Sequence, residues 1–125
     1  MEQRMKIKNF TDLFVWNEGH QFVLSLYRLT KSFPSDEQFS LTNQMRRAAV
    51  SITSNIAEGF GRRSYAEKRQ FYNIASGSIT EIQSQLYLAR DLGYCPTDTW
   101  DQLNSKSEFV YKLLNALIAS LPSSR

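Results

Sequence analysis

One histidine and one cysteine are all that 125 residues contain of the two side chains that most often bind metals or act as bases and nucleophiles. Cys95 alone excludes an internal disulfide and a cysteine zinc site. His20 alone excludes a ferritin-like metal bundle, which takes a Glu-x-x-His from each of two helices, and Asn17 stands where the glutamate would be. A serine or cysteine nucleophile needs a base, and no histidine lies near Cys95 in sequence. The two glycines of Glu58-Gly59-Phe60-Gly61-Arg62 follow a helical pattern rather than a strand, so they do not form a phosphate loop. No apolar run approaches the ~20 residues that span a bilayer. Arg4, Lys6 and Lys8 are not followed by the apolar segment of a secretory signal. These absences point to a non-enzymatic protein of the cytoplasm, with no cofactor, no metal and no membrane partner.

What is present is helical punctuation. The spacing predicts four helices, over residues 12–31, 35–60, 64–92 and 97–121. Asp12 is a candidate N-cap for the first, and Phe33-Pro34 ends it. Ser35-Asp36-Glu37-Gln38 and Ser64-Tyr65-Ala66-Glu67 have capping-box spacing. Gly59 and Gly61 offer left-handed positions after the second helix, and Gly93 closes the third. Thr97 or Asp98 would cap the fourth. The second and third connections are only a few residues long, which makes the helices they join antiparallel neighbours. The expected fold is all-α: one antiparallel up-and-down four-helix bundle over 1–125, with an N-terminal arm at 1–11 and a tail at 122–125.

Apolar spacing assigns the faces. In the second helix Leu41, Met45, Ala48, Ala49, Ile52, Ile56 and Gly59 share one arc of about 100°. In the third, Phe71, Ile74, Ala75, Ser78, Ile79, Ile82, Leu86 and Ala89 share a wider one. Gly77 sits mid-helix at a cost of about 1 kcal/mol, which close backbone packing would explain. The first helix carries two apolar stripes. Val15, Phe22, Leu26, Leu29 and Phe33 form one; Leu13, Trp16, His20, Val23, Leu24 and Tyr27 form the other. The fourth is also broadly apolar, with Phe109 and Leu113 widening its face. A large uncovered apolar surface marks an interface, so a homo-oligomer is expected. Trp16, His20, Val23, Tyr27, Phe109 and Leu113 are its candidate contacts. The alternative is that the extra apolar residues cover the bundle ends and the arm.

Charge is uneven. The net charge is +3. Between Gln44 and Gln70, Arg46, Arg47, Arg62, Arg63, Lys68 and Arg69 face only Glu58 and Glu67, which leaves +4 in that segment. Such polarity steers association with anions. Tyr65 and Tyr72 lie near the basic turn, and cations beside aromatics suit nucleic acid through phosphate pairing and stacking. Those six cations are the candidate nucleic-acid contacts. Glu58 and Glu81 are the only carboxylates in a site-like setting. They are candidate structural partners: Glu58 for Arg62 four residues on, and Glu81 for an arginine of the second helix. Acid–base or nuclease chemistry would need more ligands than these two.

Several phrases together resemble a known family. They are Asp12-Leu13-Phe14-Val15-Trp16, Tyr27-Arg28-Leu29-Thr30 with Phe33-Pro34, Gln44-Met45-Arg46-Arg47-Ala48-Ala49-Val50-Ser51-Ile52, Ser54-Asn55-Ile56-Ala57-Glu58-Gly59, and Phe71-Tyr72-Asn73-Ile74-Ala75-Ser76-Gly77-Ser78 leading to Glu81. The chain resembles the four-helix-bundle proteins encoded in intervening sequences of bacterial 23S ribosomal RNA genes, also called the S23 ribosomal protein family. Thr53 stands where that family commonly has proline, and Met45 where it has leucine. The resemblance implies a left-handed bundle that assembles as a homopentamer, without established enzymatic activity. The family is similar to the accessory variability proteins of diversity-generating retroelements, which share the bundle and pentamer and bind nucleic acid and a reverse transcriptase. The expectation is an oligomeric bundle that binds nucleic acid, structured RNA in particular or else DNA, through repeated basic patches. The alternative is a homo-oligomeric scaffold for a protein partner, with no nucleic-acid role.

Overall fold

The seven residues that share one arc between positions 41 and 60 are the seven that become buried. Helix α2 spans Leu41–Phe60 and turns Leu41, Met45, Ala48, Ala49, Ile52, Ile56 and Gly59 inward. The computed structural model describes residues 6–123. The outer arm at 1–5 and the end of the tail at 124–125 lie outside the described residues. Around α2 stand α1 (Phe14–Lys31), α3 (Tyr65–Asp91) and α4 (Thr97–Ser120). Each helix packs on its neighbour in sequence, and α1 closes against α4. There is no strand among the described residues. This is the up-and-down bundle that the pattern predicts.

One core joins all four helices. Phe22, Leu26, Met45, Ile52, Ile56, Ile79, Ile82, Leu86, Val110 and Leu114 are wholly removed from solvent. Each such side chain contributes about 1.5–3 kcal/mol of transfer free energy. The core arc of α3 is rotated from the expected one. Tyr72 and Gln85 are buried, while Ile74 is exposed and Phe71 half-buried. Gly59 is the reason on the α2 side. A Cβ there would lie 2.6 Å from Cε1 and 2.8 Å from Cδ1 of Tyr72, so only glycine lets that ring seat against α2.

The helix ends differ from the sequence expectation in instructive ways. Asp12 caps no long helix. It accepts from the backbone N–H of Lys8 (2.8 Å) and Asn9 (3.2 Å) in a capping box around the 3₁₀ turn Phe10–Asp12. The second helix does not start at Ser35. Residues Ser35–Glu37 form their own 3₁₀ turn, and α2 begins at Leu41, whose N–H donates to Glu37 Oε1 at 3.3 Å. The other oxygen of Glu37 accepts from the Tyr94 hydroxyl at 2.9 Å, so a residue from the α3–α4 connection holds this cap. Ser64 does cap α3, accepting from the Glu67 N–H at 3.1 Å. Neither Thr97 nor Asp98 caps α4: Pro96 occupies the cap position, without a side-chain bond. Gly59 and Gly61 are not left-handed; Gly93 is, at φ 81. There the N–H of Tyr94 reaches the Ala89 carbonyl (2.8 Å) and that of Gly93 reaches Arg90 (3.0 Å), a Schellman ending.

The second stripe of α1 is mostly covered by the chain itself. Val23 is buried in the core, not offered at a surface. Trp16 lies under the arm, its ring edge-on to Phe10 (centroids 5.1 Å) and stacked on His20 (4.8 Å). Tyr27 lies under the Arg46 guanidinium, 4.6 Å away. Leu113 is half-buried against the core, and Phe109 is exposed beside Phe14. Apolar side chains do reach solvent, but chiefly elsewhere: Phe39 before α2, Ile74, Tyr87 and Leu88 on α3, Leu92 just beyond it, Phe14 and Phe109 at the α1–α4 side, and Tyr111 on α4.

Candidate nucleic-acid interface

The α2–α3 turn is built from the outgoing end of α2 and the capped start of α3. Four of the six candidate cations gather there, and the turn engages three of them. Arg62 Nη2 pairs with Glu58 Oε2 at 3.0 Å, one helical turn back, and its guanidinium lies 4.5 Å from the Phe71 ring centroid. Lys68 folds back over the end of α2. Its Nζ donates to the Phe60 carbonyl at 2.6 Å and lies 3.4 Å from that of Gly59. Both acceptors are helix-end carbonyls, and that of Gly59 also accepts from the Arg62 N–H at 3.2 Å. Burial pushes the Lys68 ammonium below its ordinary pKa. Arg69 Nη1 donates to the Pro122 carbonyl at 2.8 Å and ties the tail to α3. Arg63 is exposed and makes no side-chain hydrogen bond or ion pair among the described residues.

Bonds to carbonyls hold a cation in place without cancelling its charge. Among the described residues, only Arg62 of these four meets a carboxylate. Arg63, Lys68 and Arg69 therefore keep their positive charge at one end of the bundle. Beside them, Phe10, Ser54, Ala57, Glu58, Gly61 and Arg62 line an open cleft of ≈ 570 Å³.

Arg46 and Arg47 are adjacent on α2 and serve different ends. Arg46 crosses to α1. Its Nε donates to Thr30 Oγ1 at 2.8 Å, Nη2 reaches the Tyr27 carbonyl at 3.4 Å, and its plane covers the Tyr27 ring. It is a structural clamp. Arg47 is exposed, with no bond to another side chain among the described residues, and opens onto the grooves on either side of α2.

The groove between α2 and α3 is small, ≈ 320 Å³, and polar. Arg47, Gln44 and Ser51 line it from α2, Ser78 and Glu81 from α3. The Ser51 and Ser78 hydroxyls share a hydrogen bond of 2.8 Å, and Asn55 Nδ2 donates to Ser51 Oγ at 3.0 Å. Those three residues bind the two helices together. Glu81 is not the partly buried ion-pair partner expected for an α2 arginine. It is exposed and accepts from Gln85 Nε2 at 3.3 Å. Gly77, one turn before it, is exposed too, and a Cβ there would meet nothing within 4 Å. The close packing expected at Gly77 is absent within the chain.

Sequence reasoning missed two polar features of α3 and α4. Ser107 is fully buried, takes a bond from Gln83 Nε2 at 3.1 Å and donates to the Asn104 carbonyl at 2.7 Å. Arg90 lies over both Tyr87 (4.9 Å) and Trp100 (4.7 Å). Its place near the end of α3, a turn after an aromatic, is the only signal the sequence carries for it. Cys95 is buried, and burial raises its thiol pKa, so the thiol is poorly suited to nucleophilic work. No cluster of three metal-ligating side chains occurs among the described residues. Among the described residues, no helix is long and apolar enough to cross a membrane.

Comparison with known proteins adds to this. The family model described as 23S rRNA-intervening sequence protein matches residues 11–116. A crystal structure of a protein of unknown function from the S23 ribosomal protein family of Bacteroides thetaiotaomicron superposes with a TM-score of 0.79. It is 25% identical, and the match covers 85% of this chain and 96% of that one. No match was found among curated proteins.

Proposed function

The chain belongs to the 23S rRNA-intervening sequence protein family, and from that premise we propose that it is a non-enzymatic, cytoplasmic assembly unit that binds nucleic acid through the basic α2–α3 turn. The observation that carries this reading is the set Arg63, Lys68 and Arg69, three cations at one bundle end with no carboxylate partner among the described residues. Phosphate contacts of this type position without specifying sequence. RNA and DNA are both within reach of such a patch, and structured RNA is the preferred partner. Assembly as a homopentamer would repeat the patch five times around a ring and multiply weak contacts by avidity.

Fluorescence anisotropy titrations with RNA and DNA at several salt concentrations test it. With three uncompensated cations, the log–log salt slope should be roughly −2 on single strands and −2.7 on duplex. Replacing Arg63, Lys68 and Arg69 by glutamine should abolish binding. If the wild type binds neither nucleic acid at low salt, or the triple variant binds as well, the reading fails.

A second reading, a homo-oligomeric scaffold for a protein partner, is favoured by Ile74, Leu88 and Leu92, which are 45–49% exposed on one side of the α2–α3 groove. Sedimentation separates assembly from monomer. A stable 14.5 kDa species at micromolar concentration would remove both the pentamer and this scaffold.

A further inference from the structure

We propose that the cleft between α1 and the first half of α4 binds a small organic carboxylate with an apolar body, its carboxylate on Arg28 and its body on Leu29 and Leu103. The α1–α4 seam is closed toward one end. There Glu18 pairs with Lys106, and the rings of Phe14 and Phe109 meet edge to face at 6.2 Å. Toward the other end the short side chains of Ser25, Ser32 and Thr99 stand among the longer Gln21, Arg28 and Gln102, and the seam opens into a cleft of ≈ 570 Å³. That volume lies within the range of about 300–1,000 Å³ that small-molecule sites occupy.

The floor is apolar. Leu29 and Leu103 belong to the core and reach the cleft with 7% and 6% of their surface. Ser25 and Ser32 give the cleft its width, and their hydroxyls are turned onto their own helix. Ser25 Oγ donates to the Gln21 carbonyl at 3.1 Å, and Ser32 Oγ to the Leu29 carbonyl at 2.7 Å. They compete little for a guest. Arg28 stands on the wall, exposed, with no side-chain hydrogen bond or ion pair among the described residues. Lys106 lines the far end, its charge taken up by Glu18, and no carboxylate is among the lining residues. Arg28 is therefore the wall cation that no carboxylate meets among the described residues, and it stands over an apolar floor. An arginine fork is suited to a carboxylate, and the leucines are suited to a chain or a ring. The site lies on a different seam from the basic turn and does not depend on nucleic-acid binding.

Octanoate and octanol are the probes: the same chain with and without charge. Both are titrated into the full-length protein while the methyl resonances of Leu29 and Leu103 are followed by NMR. Octanoate should shift both methyls saturably, and octanol should bind about tenfold more weakly or worse. Arg28→Gln should bring octanoate down to the level of octanol, leaving the nucleic-acid titration unchanged. Ser25→Trp should fill the cleft and abolish both. Circular dichroism confirms that this variant folds, and Ser32→Phe replaces it if it does not. Three results would overturn the proposal: no shift at Leu29 and Leu103 at millimolar octanoate, equal affinity for the two probes, or wild-type octanoate binding by Arg28→Gln.

Discussion

The α2–α3 turn and the groove that runs back from it between the same two helices differ in how many of their cations the chain engages. The turn holds four cations and leaves one, Arg63, without a partner among the described residues. The groove holds one cation, Arg47, and leaves it free beside Glu81 and an open Gly77. Local density of a residue type is therefore a poor guide to availability. At the turn, a helix end supplies carbonyl acceptors, a glutamate lies one helical turn back, and the tail returns alongside. Cations placed there find acceptors within the chain. In the groove, neighbouring side chains are short, and those that bond do so with each other. A groove lined by polar groups can still leave its one cation unengaged.

The largest expected effect tests whether the turn is a packed element first and a charged patch second. Gly59→Ala places a methyl 2.6 Å from the Tyr72 ring and 3.1 Å from the Phe71 Cβ. Overpacking of this kind costs up to about 3 kcal/mol, and the gain in helix propensity returns up to about 1. A net loss of about 2 kcal/mol is expected from urea denaturation. A neutral result would mean that Tyr72 moves freely and that the turn is loosely built.

The next effect divides two adjacent arginines. Arg46→Gln loses charged hydrogen bonds to α1 and its contact with Tyr27, at a cost of about 1.5 kcal/mol. Arg47→Gln should stay within about 0.5 kcal/mol, as surface changes do. Glu81→Ala should also stay within about 0.5 kcal/mol, because its carboxylate is exposed and unpaired with arginine. Equal costs at positions 46 and 47 in parallel denaturation curves would erase the distinction drawn between clamp and free cation.

The outcome at Arg46 marks the boundary of what sequence makes legible. The stripe of α2 is read correctly because one helix face and one period decide it. The partners of Arg46, Lys68 and Arg69 are mostly backbone carbonyls of other segments, and no pattern of residue types displays those. The start of α2 is missed for the same reason, since Glu37 takes its second bond from Tyr94, far along the chain. The second stripe of α1 looks like an interface until the arm brings Phe10 onto Trp16 and α2 brings Arg46 onto Tyr27. Family membership is legible in local phrases, and the identity of any partner is not.

The smallest expected effect decides whether the groove face is free or covered. Within one chain, Gly77→Ala meets open space, and alanine is the better helix former. The folded monomer should gain about 0.5–1 kcal/mol. If a second copy lays its backbone against this face, the same methyl intrudes on the contact, and assembly should weaken while monomer stability rises. Denaturation at low and high protein concentration reads both quantities from one variant. A gain at low concentration that turns into a loss at high concentration places another chain over Gly77 and makes this groove, with Ile74 and Leu88 beside it, the assembly face. A gain of the same size at both concentrations leaves the face open to solvent. The exposed apolar residues around Phe14 and Phe109 then become the better site for a homo-oligomer contact.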